Sequence, residues 1–231
     1  MLEVNNASGT EVADGVGDAC DPDPDTDGDS ILFFDGFNGV APGAQWTTVL
    51  GTWTVSGGAL HQTGISAGAP SSAIYWNGGT PTDARADIDA TVDAILPSVG
   101  AGDTNRLVGL LGRYLAGNGT GYWCTEYGNP NDLLANGDLW LRRFNGATGT
   151  DLVFDPLSWP MAVADPIRVR MWTLSAGTNR LYCILRRYAT NQFVNPGSTD
   201  SVYTTGNYGI FTYAVSATFP YFIVYGVPTP P

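Results

Sequence analysis

Lysine is absent from the sequence, and all ten basic residues are arginine. These arginines do not form the basic stripe that nucleic acid binding requires, so nucleic acid is not expected as a partner. There is a single histidine, His61, and no Cys-x-x-Cys spacing, so neither a zinc nor a redox centre is predicted. No apolar run reaches the roughly 18 residues that a membrane-spanning helix needs, so no membrane-spanning helix is expected.

Charge is scarce and unevenly placed along the chain. Charged residues make up 14% of the sequence, against about 25% in an average soluble domain. Residues 1–35 carry ten carboxylates and no arginine, whereas residues 36–231 carry twelve carboxylates and ten arginines. The net charge of -12 therefore belongs mainly to an acidic leader, and the remainder of the chain is nearly neutral.

Cysteine and glutamate are also rare. Cys124 and Cys183 lie in strand-like segments and could form one disulfide or remain two buried thiols, which leaves Cys20 for a neighbouring repeat or another chain. Glycoside hydrolysis needs two nearby carboxylic acids, but Glu126 has no acidic residue two or four positions away. We predict that Glu126 is solvated or paired with arginine, that His61 is structural, and that the protein is not an enzyme.

The most distinctive stretch that is present runs from Asp14 to Asp29 and contains seven aspartates among sixteen residues. Carboxylates this dense repel one another unless a cation lies among them, and calcium accepts six to eight oxygen ligands in a flexible geometry. The alternative is an acidic linker that keeps the chain soluble. The alternate spacing of Asp21, Asp23, Asp25 and Asp27, followed by the Gly28 turn and Asp29, predicts that these five aspartates are calcium ligands.

Residues 10–30 resemble a thrombospondin type 3 repeat, a calcium-binding module of secreted and surface proteins. The resemblance rests on DGVGDACD followed by DTDGD. It implies that the calcium ligands are Asp14, Asp18, Asp21, Asp23, Asp25 and Asp27. Weak aspartate-rich sites suit the calcium concentration outside cells, so the protein is predicted to be extracellular. The first residues lack the charged start and apolar core of a signal peptide, and we interpret the chain as a mature or excised part of a secreted protein.

From residue 31 to 227 the composition favours strands. Short apolar and aromatic segments alternate with Gly, Asn, Asp or Pro, which predicts about a dozen strands and an all-β, two-sheet antiparallel sandwich. ILFFDGF is predicted to be a buried strand. Residues 84–95 alternate with a period of two, which predicts one buried face and one solvated face that bears Arg85, Asp87 and Asp89. Residues 228–231 form a Pro-rich tail.

The order of these segments is similar to that of concanavalin A-like or laminin G-like jelly-roll domains. The similarity spans nearly all of residues 31–226. It implies a jelly roll, a fold that hosts lectins, hydrolases and adhesion modules, so function has to be argued from the site. The positions that carry it are Asp35, Phe37, Trp46, Trp53, Val55, Gly57, Gly58, Leu60, Gly121, Tyr122, Leu139 to Arg143, Gly206, Gly209, Ile210, Phe219 and Phe222.

The middle strands are rich in aromatic and arginine side chains that share faces by alternation. If these strands are neighbours, they form a surface suited to sugars, because C–H groups stack on rings and acidic groups meet arginine. A protein interface, or arginine and tryptophan that only stack on each other, would look the same. The predicted ligand-binding residues are Trp140, Arg142, Arg168, Arg170, Trp172, Tyr182 and Arg186.

Three functions are consistent with these features. The first is a secreted, calcium-binding, non-catalytic adhesion or carbohydrate-binding module whose partner is a glycan. The second is a structural subunit of an extracellular filament or surface layer, a homo-oligomer assembled through the leader. The third is a polysaccharide hydrolase that uses Glu126.

Overall fold

The body of the protein consists of short antiparallel strands. The computed structural model describes residues 30–64, 71–95, 105–128, 137–146, 148–175 and 179–226, and within these ranges it contains seventeen strands and no helix. In chain order the strands are β1 Ser30–Asp35, β2 Trp46–Leu50, β3 Trp53–Ser56, β4 Ala59–Gln62, β5 Ser71–Trp76, β6 Ala84–Ile95, β7 Arg106–Leu115, β8 Thr120–Gly128, β9 Asp138–Asn145, β10 Thr148–Pro156, β11 Pro166–Leu174, β12 Arg180–Arg187, β13 Gln192–Val194, β14 Gly197–Thr199, β15 Asn207–Tyr213, β16 Val215–Phe219 and β17 Phe222–Gly226.

The strands of the described residues form two sheets. A ten-stranded sheet has the order β13-β12-β11-β6-β16-β4-β3, with β17 joining β6 to β1 and with β14 beside β12. A seven-stranded sheet has the order β10-β9-β8-β7-β15-β5-β2. Neighbouring strands are antiparallel in both, as in the pairs β11 with β6 and β8 with β9. The predicted all-β, two-sheet antiparallel sandwich is confirmed.

The hydrophobic core lies between the two sheets. The ten-stranded sheet contributes Ile88 and Val169 to it, and the seven-stranded sheet contributes Val108, Leu141 and Ile210, all fully buried. These residues occupy alternate positions of their strands because successive side chains of a strand point to opposite faces. The alternation leaves each sheet with a second face that points away from the core.

A disulfide joins the sheets across this core. Cys124 of β8 and Cys183 of β12 are bonded, with their Cα atoms 5.3 Å apart. Both are fully buried. The sequence allowed either a disulfide or two thiols, and the structure contains the disulfide. Cys20 lies outside the described residues.

Strand β6 corrects one sequence expectation. Its second face was predicted to be solvated, but Arg85 and Asp87 are both buried. The reason is its place in the sheet: β6 is an interior strand between β11 on one side and β16 and β17 on the other. Long side chains of those neighbours, among them Arg170 and Tyr225, extend over it.

Strand β1 corrects another expectation. It was predicted to be buried, but it pairs only with β17 among the described strands, and Phe34 is 57% exposed. Phe33 alone packs on the core, where its ring stacks on Trp76 at 5.1 Å. After β1, the Asp35 carboxylate accepts hydrogen bonds from the Phe37 backbone N–H at 2.7 Å and from Trp46 Nε1 at 2.8 Å. Asp35 therefore holds the turn that leads into the sandwich.

The acidic leader and the tail are not part of the described structure. All seven predicted calcium ligands precede residue 30, and the tail residues 228–231 follow residue 226. The calcium prediction therefore concerns residues outside the described ranges. Within those ranges, no group of three His, Cys, Asp or Glu side chains is placed to hold a metal ion.

Candidate functional site

The predicted ligand-binding residues lie on two opposite outer faces of the sandwich. Trp140 and Arg142 belong to β9 and lie on the outside of the seven-stranded sheet, which we call the aromatic face. The others lie on the outside of the ten-stranded sheet, which we call the arginine face; they are Arg168, Arg170, Trp172, Tyr182 and Arg186. The single surface that alternation suggested is therefore divided, because sequence does not show which strands share a sheet.

The aromatic face contains two groups of stacked rings. Trp123 of β8 stacks on Phe211 of β15, with ring centroids 4.5 Å apart and planes at 15°, and it also contacts Phe144 at 4.7 Å. Tyr127 stacks on Trp140 at 4.5 Å, with planes at 5°. Trp123, Tyr127 and Trp140 keep part of their surface exposed. The face therefore presents aromatic rings held in fixed positions by one another.

The strand between those of Trp123 and Phe211 contains a glycine, Gly109. Gly109 of β7 lies in register between Phe211 on one side and Thr125 on the other. A Cβ atom at Gly109 would lie 2.1 Å from the carbonyl oxygen of Cys124, so no larger residue fits. Gly109 is therefore required by the close approach of the β8 backbone to β7.

A cavity with a volume of about 370 Å³ opens beside this stack. Trp123 and Phe211 line it together with Tyr114, Tyr213 and Ser71. The lining is mainly apolar with a few hydroxyl groups, which is the usual composition of a small-molecule pocket. Burial raises the pKa of Tyr114 above its ordinary value, so its hydroxyl stays protonated and remains a donor.

A charged pair lies next to the second stack. Arg142 and Asp151 form an ion pair, with Arg142 Nε 2.9 Å from Asp151 Oδ1, and the guanidinium lies 5.0 Å from the centre of the Trp140 ring. Gly149 on β10 makes space for it, because a Cβ there would lie 2.2 Å from Arg142 Nε. The pair supplies hydrogen-bonding groups at the edge of the aromatic face.

The arginine face is organised around two ion pairs between β11 and β6. Arg168 Nε donates to Asp89 Oδ1 at 2.8 Å, and the hydroxyls of Tyr188 and Tyr221 donate to the same carboxylate at 2.9 and 3.1 Å. Burial lowers the pKa of Arg168, but the hydrogen bond to Asp89, the Asp89 charge and the hydroxyls of Tyr221 and Tyr188 together outweigh burial, so the pKa of Arg168 is raised. Burial together with the Asp89 charge raises the pKa of Tyr188 to about 12.

The second ion pair is more deeply placed. Arg170 Nε donates to both carboxylate oxygens of Asp87, at 2.8 and 3.0 Å. Burial raises the pKa of Asp87, and the positive charges of Arg170 and Arg85 oppose that rise. The Arg85 guanidinium itself lies 4.4 Å from the Tyr225 ring centre and 5.3 Å from that of Trp172. Arg85 is therefore buried beneath the outer side chains of this face, whereas Arg170 keeps part of its surface exposed.

Trp172 of β11 and Tyr182 of β12 are cross-strand neighbours on the arginine face. Their rings meet edge to face at 6.0 Å. Arg186 differs: it is exposed, and its Nη2 donates to the neutral Oδ1 of Asn191 at 2.6 Å. Among the described residues no carboxylate pairs with Arg186.

The two residues through which catalysis would have to act, Glu126 and His61, lie in different surroundings. Glu126 was predicted to be solvated or paired with arginine, but it is 2% exposed and lies in the interior. Burial raises the pKa of Glu126 to about 8, while the nearby Trp159 and Arg187 lower it and Asp165 raises it. His61 lies between the Thr218 hydroxyl at 2.9 Å and the Ser56 carbonyl at 3.0 Å, in agreement with its predicted structural role.

Sequence reasoning did not place Phe211, Tyr213 or Phe144 at a site. Strand β15 alternates Tyr208 and Ile210 with Phe211 and Tyr213, so both of its faces are apolar. Such a strand is expected to be buried on both sides. The sequence shows that Phe211 and Tyr213 are both aromatic. That pattern alone does not predict that these two side chains line an open cavity.

Comparisons with solved structures give the same fold in several proteins. A carbohydrate-binding module from Bacillus subtilis is 19% identical and has a TM-score of 0.55, covering 76% of this chain and 91% of its own. A module of an evolved Dit protein from Lactobacillus casei BL23 phage J-1 is 12% identical with a TM-score of 0.61, covering 88% and 98%. Lectin II from Ulex europaeus is 11% identical with a TM-score of 0.53, covering 84% and 98%.

These structures share the jelly-roll architecture with this chain, and identities this low establish the fold alone. No model of a protein family matches the chain, and no curated protein matches it. A helix long and apolar enough to cross a membrane is absent from the described ranges.

Proposed function

We propose that the protein is a non-catalytic carbohydrate-binding module that binds its glycan on the aromatic face. The observation that carries this proposal is the Trp123–Phe211 stack beside a cavity of about 370 Å³. Sugars present flat C–H surfaces that pack on aromatic rings, and rings held in place lose little conformational freedom on binding. The fold is one that carbohydrate-binding modules and lectins also use.

The polar groups of this face suit sugar hydroxyls. Hydroxyls both donate and accept, so a binding site needs groups of both kinds. Arg142 supplies donors, Asp151 supplies acceptors, and the side chains of Ser71 and Tyr213 at the cavity supply both. These side chains lie on strands of one sheet, which keeps their spacing constant.

The absence of catalysis is part of the proposal. Glycoside hydrolysis needs two carboxyl groups on either side of the scissile bond, with one of them exchanging a proton with solvent or substrate. Glu126 is buried between the sheets and does not line the cavity of the aromatic face. We therefore assign it to stability rather than to chemistry.

The Trp123→Ala variant is expected to bind polysaccharide about tenfold more weakly, because a truncated interface tryptophan commonly costs more than about 1 kcal/mol. The matched control is Trp172→Ala, which removes a partly exposed tryptophan from the opposite sheet. Affinity electrophoresis and calorimetry on neutral glycans (cellulose, xylan, mannan and starch) would measure both variants. Trp140→Ala offers a second test if Trp123→Ala does not fold.

Two results would contradict the aromatic-face proposal. One is equal loss of affinity in the Trp123→Ala and Trp172→Ala variants. The other is the lack of measurable binding by the folded wild-type protein to any glycan of the panel.

We also propose that the acidic leader binds calcium and that the protein works outside the cell. The dense aspartates of residues 14–29 support the first part. The Cys124–Cys183 disulfide supports the second, because disulfides persist mainly in oxidising compartments.

The triple variant Asp21→Asn, Asp23→Asn and Asp25→Asn is expected to lose calcium binding, because it removes charged oxygen ligands from the centre of the aspartate-rich stretch. Isothermal titration with calcium would measure this loss. The matched control, Asp93→Asn, changes the same chemical group at an exposed position of the sandwich and should titrate like the wild type. Calcium binding of the triple variant equal to that of the wild type would contradict a calcium site in the leader.

A further inference from the structure

The arginine face contains a second cavity that the aromatic-face proposal does not use. Its volume is about 350 Å³, within the usual range for a small ligand. It is lined by Arg168, Arg170, Ile184, Arg186, Asn191 and Phe193. Three guanidinium groups thus meet at one cavity of a chain whose net charge is -12.

With respect to the described residues, the two arginines on β11 retain unused donors. Arg170 engages Asp87 through Nε alone, and Arg168 engages Asp89 through Nε and Nη2. A guanidinium has five N–H donors, so the terminal nitrogens of Arg170 keep theirs for the cavity. Asp89, in contrast, already accepts from Arg168 and two tyrosines.

The third arginine supplies the excess positive charge. Within the described residues, two carboxylates balance Arg168 and Arg170, whereas Arg186 has the neutral oxygen of Asn191 as its acceptor. One guanidinium in excess, with its neighbours' free N–H groups beside it, is suited to a single oxyanion. Arginine forks hold carboxylate and sulfate groups by paired, charge-assisted hydrogen bonds.

Apart from the three arginines and Asn191, the cavity is lined by the apolar side chains of Ile184 and Phe193. Phe193 is 66% exposed, and it pairs in register with Arg186 across β13 and β12. Ile184 faces Arg170 on the adjacent strand. A ligand that fits would place an apolar ring face on Phe193 and an acidic group on Arg186.

We propose that this cavity is a second binding site, which takes a saccharide unit bearing a carboxylate or sulfate group. The inference rests on the proposed carbohydrate-binding function and adds the charge of the ligand to it. A sugar acid brings one charge and one ring face, which match one excess guanidinium and one exposed phenyl ring. An acidic peptide offers a carboxylate to Arg186, but its side chains lack the flat C–H ring face that would pack on Phe193.

The Arg186→Gln variant tests the site without breaking an ion pair. It is expected to bind polygalacturonate about tenfold more weakly, which corresponds to the loss of one charge-assisted hydrogen bond. The matched control is Arg180→Gln, which removes an exposed arginine from the same face of the same strand but outside this cavity. The control is expected to stay within about twofold of the wild type.

The ligands also come in matched pairs. Fully methyl-esterified polygalacturonate lacks the carboxylates, and dextran lacks the charge of dextran sulfate, so the two pairs distinguish a carboxylate from a sulfate ligand. Binding is measured by calorimetry with a chelator present, so that calcium does not bridge the polysaccharide to the acidic leader. Affinity for the charged member should fall as salt rises.

Equal loss in Arg186→Gln and Arg180→Gln, or no loss in either, would overturn the second site. Competition by poly-aspartate at the same carboxylate concentration would also overturn it, in favour of an acidic-peptide site. The two proposals fail separately, because Trp123→Ala should change binding of the neutral glycans while Arg186→Gln should leave that binding unaltered.

Discussion

Reduction of the Cys124–Cys183 disulfide is expected to lower the free energy of unfolding by about 4 kcal/mol. The bond closes a segment of 59 residues, and the loss of that constraint gives the unfolded chain more conformations, which corresponds to about 4 kcal/mol in the chain-entropy model. It also joins β8 to β12, so it is the covalent link between the two sheets. Equilibrium unfolding in guanidinium, with and without a phosphine reductant, would measure the change.

The Cys20→Ala variant is the control for this experiment, because it removes a thiol and leaves the disulfide in place. It should unfold like the oxidised wild type. The Cys124→Ala and Cys183→Ala double variant should resemble the reduced wild type and be insensitive to reductant. A difference of less than about 1 kcal/mol between the oxidised and reduced forms would show that the bond adds little to the packing of the core.

The Glu126→Gln variant is expected to be more stable than the wild type at alkaline pH, by on the order of 4 kcal/mol. Burial raises the pKa of Glu126 to about 8 in the folded protein, against an ordinary value of 4.5. Between these values the folded state holds a proton that the unfolded state has released. Stability from Glu126 is therefore fully present below pH 4.5 and declines as pH rises towards 8.

Glutamine keeps the shape of the protonated side chain and has no proton to lose. The two proteins should have nearly equal free energies of unfolding at pH 4 and diverge by about 1.4 kcal/mol per pH unit up to pH 8. Guanidinium unfolding at pH 4, 6, 8 and 9 would follow this divergence. Asp93→Asn changes an exposed carboxyl group and should keep the alkaline decline of the wild type.

A constant difference between Glu126→Gln and wild type across this pH range would contradict the raised pKa. In that case the Glu126 carboxyl group would have the same proton affinity in the folded and unfolded states.

The period-two alternation of apolar and polar residues, together with the turn residues between strands, made most of the fold predictable. The alternation in β11 predicted that Arg168, Arg170 and Trp172 share one face, and they lie together on the outside of the ten-stranded sheet. The alternation in β6 was also correct about which residues share a face. It failed for the environment of Arg85 and Asp87, because the neighbours that cover a strand depend on its place in the sheet.

The candidate sites were less accessible to sequence reasoning. Trp140 and Arg168 looked alike in sequence, each an outward residue in an aromatic and arginine-rich strand. They lie on opposite sides of the molecule because β9 and β11 belong to different sheets. The cavity beside Trp123 and Phe211 arises from strands far apart in sequence, and local alternation contains no information on such pairings.

The sequence by itself determined the all-strand sandwich, the acidic leader and the near-neutral body, because period-two alternation, turn residues and charge counts are local properties. Only the tertiary structure decided that Cys124 bonds to Cys183, that Glu126 is enclosed, and that two chemically different faces exist. Each of these depends on which distant strands become neighbours. That choice is made by the packing of the whole core, and no short segment specifies it.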